Sequence, residues 1–211
     1  MLTKNRTIRI AIQLVAMSVW PAAASAEQLL DFFQLDGSRD VQTLVLVKGA
    51  PFGETAKPAP LLSLTYTRWE TGSTVSGGYV YRWALTTGEH KLTVGAGGGV
   101  DYFNSRGTDN NENKTAPDAR GQLELSGPAT GGTYYALAQM STFRRSALAL
   151  VQYNFADSPI GLDGSYYSET GHHQFTGALR YTLGTSKWFL RGGVIASDKT
   201  QPFIGVGYNG F

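Results

Sequence analysis

Cysteine is absent from the 211 residues. That excludes disulfide staples, thiol catalysis, zinc–thiolate sites and a lipid anchor on an N-terminal Cys. Charge is sparse: Asp, Glu, Lys and Arg make up 16% of the chain, against about 25% in an average soluble domain. Beyond the N-terminus no stretch approaches the unbroken run of about 18 apolar residues that a membrane-spanning helix needs. A basic excess is missing too, although the formal charge is +2. Lys4, Arg6 and Arg9 lie in a segment that holds no acid, and without it 15 basic residues face 16 acidic ones. Attraction to a polyanion needs clustered positive charge, so no nucleic-acid partner is expected.

What is plentiful is glycine, at 26 residues, and aromatic side chains: 11 Tyr, 10 Phe and 4 Trp. Residues 1–26 have the three parts of a secretory signal peptide. Lys4, Asn5, Arg6 and Arg9 make a positive start, Ile10 to Trp20 is a short apolar run broken only by Gln13 and Ser18, and Ala24-Ser25-Ala26 is a small-x-small cleavage site. The expected mature domain is 27–211, exported from the cytoplasm. A closed sheet would give such a protein rigidity without disulfides.

Over most of that domain apolar residues alternate with polar or small ones at period 2. In 90–103, Leu92, Val94, Ala96, Val100 and Tyr102 share one face. Lys91, Thr93, Gly95, Gly97, Gly99 and Asp101 share the other. In 172–184, His173, Phe175, Leu179, Tyr181 and Leu183 oppose His172, Gln174, Thr176, Arg180 and Thr182. A helix would scatter the polar set around its circumference, whereas a strand collects it on one side. The predicted strands are 28–36, 41–50, 61–70, 74–86, 90–103, 119–127, 133–143, 146–155, 160–170, 172–184, 187–197 and 201–211. Turn residues separate them, among them Asp36-Gly37-Ser38, Thr71-Gly72-Ser73, Gly131-Gly132 and Asp157-Ser158-Pro159.

Alternation does not say whether the apolar face meets a core or lipid. Length does: soluble strands mostly run to five or six residues, whereas a tilted bilayer-spanning strand needs about 9–11, and most of these fit the second class. Aromatics near strand ends (Trp69, Tyr79, Tyr102, Phe103, Phe155, Tyr181, Trp188, Phe203 and Tyr208) are expected at the two bilayer interfaces, where a ring with a polar tip is best solvated. The alternative is a secreted, soluble β-sandwich or lipocalin-like binder.

With its leader, its continuous alternating strands and its terminal Phe211, the chain resembles a bacterial outer-membrane β-barrel protein. The resemblance is one of pattern over the whole mature chain. It implies an all-β, closed, antiparallel up-and-down transmembrane barrel in the cell outer membrane of a Gram-negative envelope. It also implies the lipid bilayer, lipopolysaccharide and the barrel-assembly machinery as partners, with Phe211 and the apolar residues upstream as the assembly signal. Asn209 stands where the class has an aromatic, with Tyr208 one place earlier. A bulge near Gly207 or Gly210 would realign them.

Strand parity fixes the expected topology. Residues 104–118 (NSRGTDNNENKTAPD) read as a long polar outer loop with five strands before it and seven after. Both termini then fall in the periplasm, and twelve strands is self-consistent with the even count of bacterial barrels. The alternative is ten, starting at Leu61, with 27–60 as an extension or plug. Residues 41–47 (VQTLVLV) form β-structure so readily that twelve is preferred.

Four sets of residues are candidates for chemistry. His172, Ser168 and Glu169 sit at an expected outer hairpin, as in some outer-membrane lipases. Their bland reading is a solvated loop tip, and no catalytic residue is assigned. A metal site has only His90, His172 and His173 and the oxygens of Asp109-Asn110-Asn111-Glu112 to draw on. No calcium-loop pattern appears, so neither metal nor cofactor is expected. Charged residues avoid midplane lipid, where each costs about 2–4 kcal/mol. Arg82, Lys91, Asp101, Arg120, Glu124, Asp163, Glu169, Arg180 and Arg191 are therefore expected to line the lumen, either pairing to close it or flanking a narrow pore. Gly95, Gly97, Gly98 and Gly99 lie within a strand and lack the Lys-Ser/Thr of a phosphate loop. The expected function is a porin-like small pore or a structural accessory barrel, with export of an envelope molecule or surface polysaccharide as its finer form. A rim-site lipid or lipopolysaccharide hydrolase is the enzymatic alternative.

Overall fold

The computed structural model describes residues 31–49, 59–86, 88–106 and 111–210. The expected leader at 1–26, residues 50–58 and Phe211 lie outside them. The described residues form twelve strands: β1 Phe32–Ser38, β2 Gln42–Gly49, β3 Ala59–Trp69, β4 Gly72–Ala84, β5 Lys91–Arg106, β6 Asn111–Ala129, β7 Gly132–Ser141, β8 Ser146–Phe155, β9 Ile160–Glu169, β10 His172–Thr182, β11 Trp188–Ala196 and β12 Thr200–Asn209. A short 3-10 turn, Phe143–Arg145, joins β7 to β8. Each strand pairs antiparallel with its neighbour in sequence, and β1 closes on β12 from Phe32↔Asn209 to Ser38↔Phe203. Closure is what a membrane sheet requires, because an open edge would strand N–H and C=O groups in hydrocarbon at several kcal/mol each.

The count settles the choice between twelve and ten strands. The segment expected as a weak strand or plug holds β1 and β2, both inside the barrel wall. Its Phe32-Phe33 pair breaks alternation because both sides of the wall use a ring there. Phe32 lies 6.5 Å from Phe189 on the lumen side, and Phe33 lies 6.1 Å from Trp188 on the outer side. Residues 104–118 differ from expectation. They are not a long loop: β5 runs on to Arg106 and β6 starts at Asn111, paired through Arg106↔Asn111. The polar composition reflects a hairpin that stands beyond the bilayer, where neither face meets lipid. β12 pairs without a bulge through Asn209 with β1 and through Tyr208 with β11, so Tyr208 is not realigned by one.

The outer face decides the environment. Among the described residues twenty-three large apolar side chains are exposed, Ile204 at 71%, Met140 at 70% and Leu179 at 60% among them, while eight hydrophobic residues are buried. That reverses a soluble protein. The exposed set amounts to on the order of 2,000 Å² of apolar surface, several times the largest patch of a typical soluble monomer. Among the residues whose side chains are described, the charged ones on this face by register are Lys48 and Arg68, both near strand ends. Tyr79, Tyr81, Trp83, Tyr153, Phe155, Tyr181 and Trp188 cluster toward the lower rim. Tyr66, Tyr102, Tyr166 and Phe175 lie toward the upper one. A belt of this kind belongs in a bilayer, which displaces the soluble-binder alternative. Three of the aromatics expected at the interfaces do not lie there. Trp69, Phe103 and Phe203 fall on the lumen face, and Phe103 and Phe203 are buried.

Candidate functional site

The lumen is the candidate site. Twelve strands spaced about 4.8 Å apart and tilted about 40° make a barrel roughly 24 Å across between backbones. Of the nine expected lumen residues, the register places all nine on the inward face. Arg82, Asp101, Arg120, Glu124, Asp163, Arg180 and Arg191 are buried. Lys91 is exposed at the lower end of β5, and Glu169 ends β9 at the upper rim.

The charges form two arcs on opposite sides of the barrel. In the first, spanning β4 to β7, Arg120 Nε donates to Asp118 at 2.7 Å, and its Nη2 donates to Asp101 at 3.0 Å and to the Ser76 hydroxyl at 2.8 Å. Arg82 lies 3.8 Å from Glu124, which also accepts from the Gln122 amide and, at 3.1 Å, from the Tyr135 hydroxyl. In the second, spanning β8 to β1, Arg180 lies 3.6 Å from Asp163 and donates to Asn154. Arg191 lies 3.8 Å from Asp163 and 3.6 Å from Asp36. Arg180 and Arg191 rest on the rings of Phe189 and Phe203, at 5.3 and 5.2 Å, and Phe203 joins Ala178 and Ile195 in a small buried apolar cluster. One of these ion pairs, Arg120 with Asp118, lies within β6, and the others join adjacent strands or strands one removed, so the charged chains lie along the wall.

Glycine makes that possible. A Cβ on Gly78 would strike the Arg120 guanidinium, and one on Gly99 would strike both that group and the Gly77 carbonyl. Gly205 lets Asp36 cross β12 toward Arg191, and Gly161 lets Arg180 cross β9 toward Asn154. The glycine run of β5 thus divides by face: Gly95, Gly97 and Gly99 form a floor beneath inward side chains, while Gly98 faces outward opposite Tyr79.

Sequence reasoning missed Asp36 and Asp118. Asp36 was assigned to a turn and Asp118 to the outer loop. In fact β1 continues through Ser38 and β6 begins at Asn111. The signal that finds Asp118 is its place two residues before Arg120, on the same face once the strand is extended. The hydrolase candidates are not brought together. His172 pairs with Glu169 on the lumen face, while Ser168 pairs with His173 on the lipid face. Neighbours in a strand point oppositely, so Ser168 and Glu169 cannot serve one site. Glu169 is instead 3.2 Å from Arg144 and accepts from Tyr167 at 3.0 Å. His90 is 3.0 Å from the Tyr134 hydroxyl. Among the described residues no cluster of three or more His, Asp or Glu is arranged to hold a metal. Asp109 and Asn110 lie outside them.

Neither a protein-family model nor a curated protein sequence matches the chain. Solved structures do. The KdgM porin aligns with a TM-score of 0.50 at 12% identity, over 84% of this chain and 97% of its own. The likeness is one of fold, a closed antiparallel barrel. The KdgM porin in complex with disordered oligogalacturonate aligns with the same values. The Acinetobacter baumannii outer membrane protein Omp33 aligns at 12% identity over 85% of this chain and 98% of its own, with a TM-score of 0.48. At such identities the likeness concerns architecture. The apolar belt is the chain's own mark of a membrane barrel, and the fold it encloses is that of outer-membrane proteins.

Proposed function

We propose that this barrel is a narrow, weakly selective diffusion pore for small hydrophilic solutes, acting without chemistry on what it passes. The observation that carries the reading is the inner ring at mid-height: polar and charged on two opposing arcs, with its six ion pairs running along the wall. Opposed arcs of mixed charge favour small dipolar or uncharged solutes. Four arginines, Arg82, Arg120, Arg180 and Arg191, face five carboxylates, Asp36, Asp101, Asp118, Glu124 and Asp163. A conduit for a polyanion needs a cationic excess, so this balance speaks against an acidic oligosaccharide of the kind bound by the KdgM porin, and against an acidic surface polysaccharide as exported cargo.

The second reading is a closed structural barrel. It draws on the burial of the same charges, with Arg82 and Glu124 each 3% exposed. The hydrolase reading has no such support, since Ser168 and His172 face opposite sides. The proposed partners are the bilayer, lipopolysaccharide at the outer leaflet and the assembly machinery acting on Phe211.

Reconstitution in planar bilayers tests the choice. Discrete conductance steps with a reversal potential near zero in a salt gradient are expected of the pore. A heat-modifiable, folded barrel that never conducts would establish the closed form.

A further inference from the structure

The connection from β7 to β8 is built unlike the β9–β10 hairpin beside it. The β9–β10 hairpin turns on Gly171, at φ +78°. Here two arginines take the left-handed conformation, Arg144 at φ 49° and Arg145 at φ 50°. L side chains seldom adopt that region, and it persists where surrounding contacts over-determine it. Those contacts centre on Arg144. Its carbonyl accepts from the Thr170 N–H at 2.9 Å and from the Thr170 hydroxyl at 2.8 Å. Its guanidinium donates to the Thr170 carbonyl at 3.0 Å, lies 3.2 Å from Glu169 and covers the Phe103 ring at 4.0 Å. Phe143 is buried beside it.

Phe103 and Glu169 both point into the lumen. The turn that touches them therefore folds in over the upper mouth. Arg144 joins β5 to β9, four strands apart in the ring. The contact continues on both sides. Phe103 stacks on Trp69 of β3 at 5.7 Å, Glu169 accepts from Tyr167, and the Tyr167 ring lies 6.5 Å from that of His172 on β10. One chain of contacts, from β3 to β10, crosses the upper end of the barrel. The mid-lumen pairs, by contrast, follow the wall.

We propose that Arg144 is the clasp of an outer gate: seated on Phe103 and Glu169 it narrows the mouth, and conduction requires its release. This rests on the pore reading and concerns the regulation of that same lumen. The clasp joins one charge pair, its side chains 17% and 10% exposed, and one cation–π contact, all on a single side chain of a surface turn. Such a seat holds the resting state and still opens on the timescale of loop motion. The Thr170 hydrogen bonds to the Arg144 carbonyl hold the backbone, so the side chain can leave its seat while the turn stays.

Two readouts test it. Single-channel recording compares the wild type with Arg144→Gly, Arg144→Ala and Glu169→Gln. Glycine is comfortable at φ 49°, so Arg144→Gly keeps the turn and deletes only the clasp. Expected is a several-fold rise in open probability or main-state conductance for both Arg144 variants, and a smaller rise for Glu169→Gln. The second readout needs no conduction. Thr65 faces the lumen between Val45 and Ser76, and the chain has no other thiol. In a Thr65→Cys background, a bulky aqueous maleimide added at the outer face is expected to label several-fold faster once Arg144→Gly is present. Faster labelling without conductance in any variant upholds the clasp and overturns the pore. Conducting channels whose conductance, open probability and labelling rate are all unchanged by Arg144→Gly overturn the clasp and leave the pore standing.

Discussion

Leu179→Arg tests the environment of the outer face most directly. Leu179 lies in the lower half of β10, on the lipid face between Phe175 and Tyr181, level with Leu162 on one side and, through Gly192, with Ile204 on the other. It is 60% exposed. In a soluble protein, arginine at so open a site changes stability within about 0.5 kcal/mol. In a barrel it enters hydrocarbon, where the cost reaches about 2–4 kcal/mol at the midplane, a factor of roughly 30 to 900 in the folding equilibrium. The internal control is Leu183→Arg, on the same face four residues further down and 40% exposed. Near the interface the penalty falls to about 0–1 kcal/mol. The assay is urea unfolding in lipid vesicles, followed by the heat-modifiable shift of the folded barrel on a gel. Leu179→Arg should lower the midpoint far more than Leu183→Arg. Equal small effects at both sites, or a mature chain that remains dissolved without detergent, would refute the lipid-facing belt and every role derived from it.

Further outcomes follow from the lumen. Arg82→Met leaves Glu124 buried without its nearest cation and should cost about 3–5 kcal/mol; Arg82→Met with Glu124→Gln should recover much of that in the same unfolding assay. Gly99→Ala drives a methyl into the Gly77 carbonyl and the Arg120 guanidinium and should cost at least about 1–3 kcal/mol, whereas Gly164→Ala, with open space around it, should be nearly silent. Asp36→Asn with Asp163→Asn removes both carboxylates that face Arg191; reversal potentials in a KCl gradient should then move toward chloride, and an unmoved potential would show that this arc lies off the conduction path.

Much of this architecture was legible in the chain. Period-2 alternation located twelve strands and their two faces, because a side chain's side of the sheet is fixed by position alone once a strand is extended. The same rule, applied to Ser168 beside Glu169, already separates them. It failed where composition misled. The Asn-rich run at 104–118 reads as loop because polar residues usually mark turns, yet above the bilayer a hairpin needs no apolar face. Trp69, Phe103 and Phe203 read as interfacial anchors because they are aromatic and near strand ends, yet their parity points them inward.

Sequence alone, then, determined the class, the strand number and which residues share a face, since these follow from local geometry and the cost of charge in hydrocarbon. Which inward groups meet was decided only by closure. Register and curvature bring Asp36 of the first strand to Arg191 of the eleventh and Arg144 to both Phe103 and Glu169. Such pairings depend on stagger and tilt around the whole ring, which no window of sequence contains.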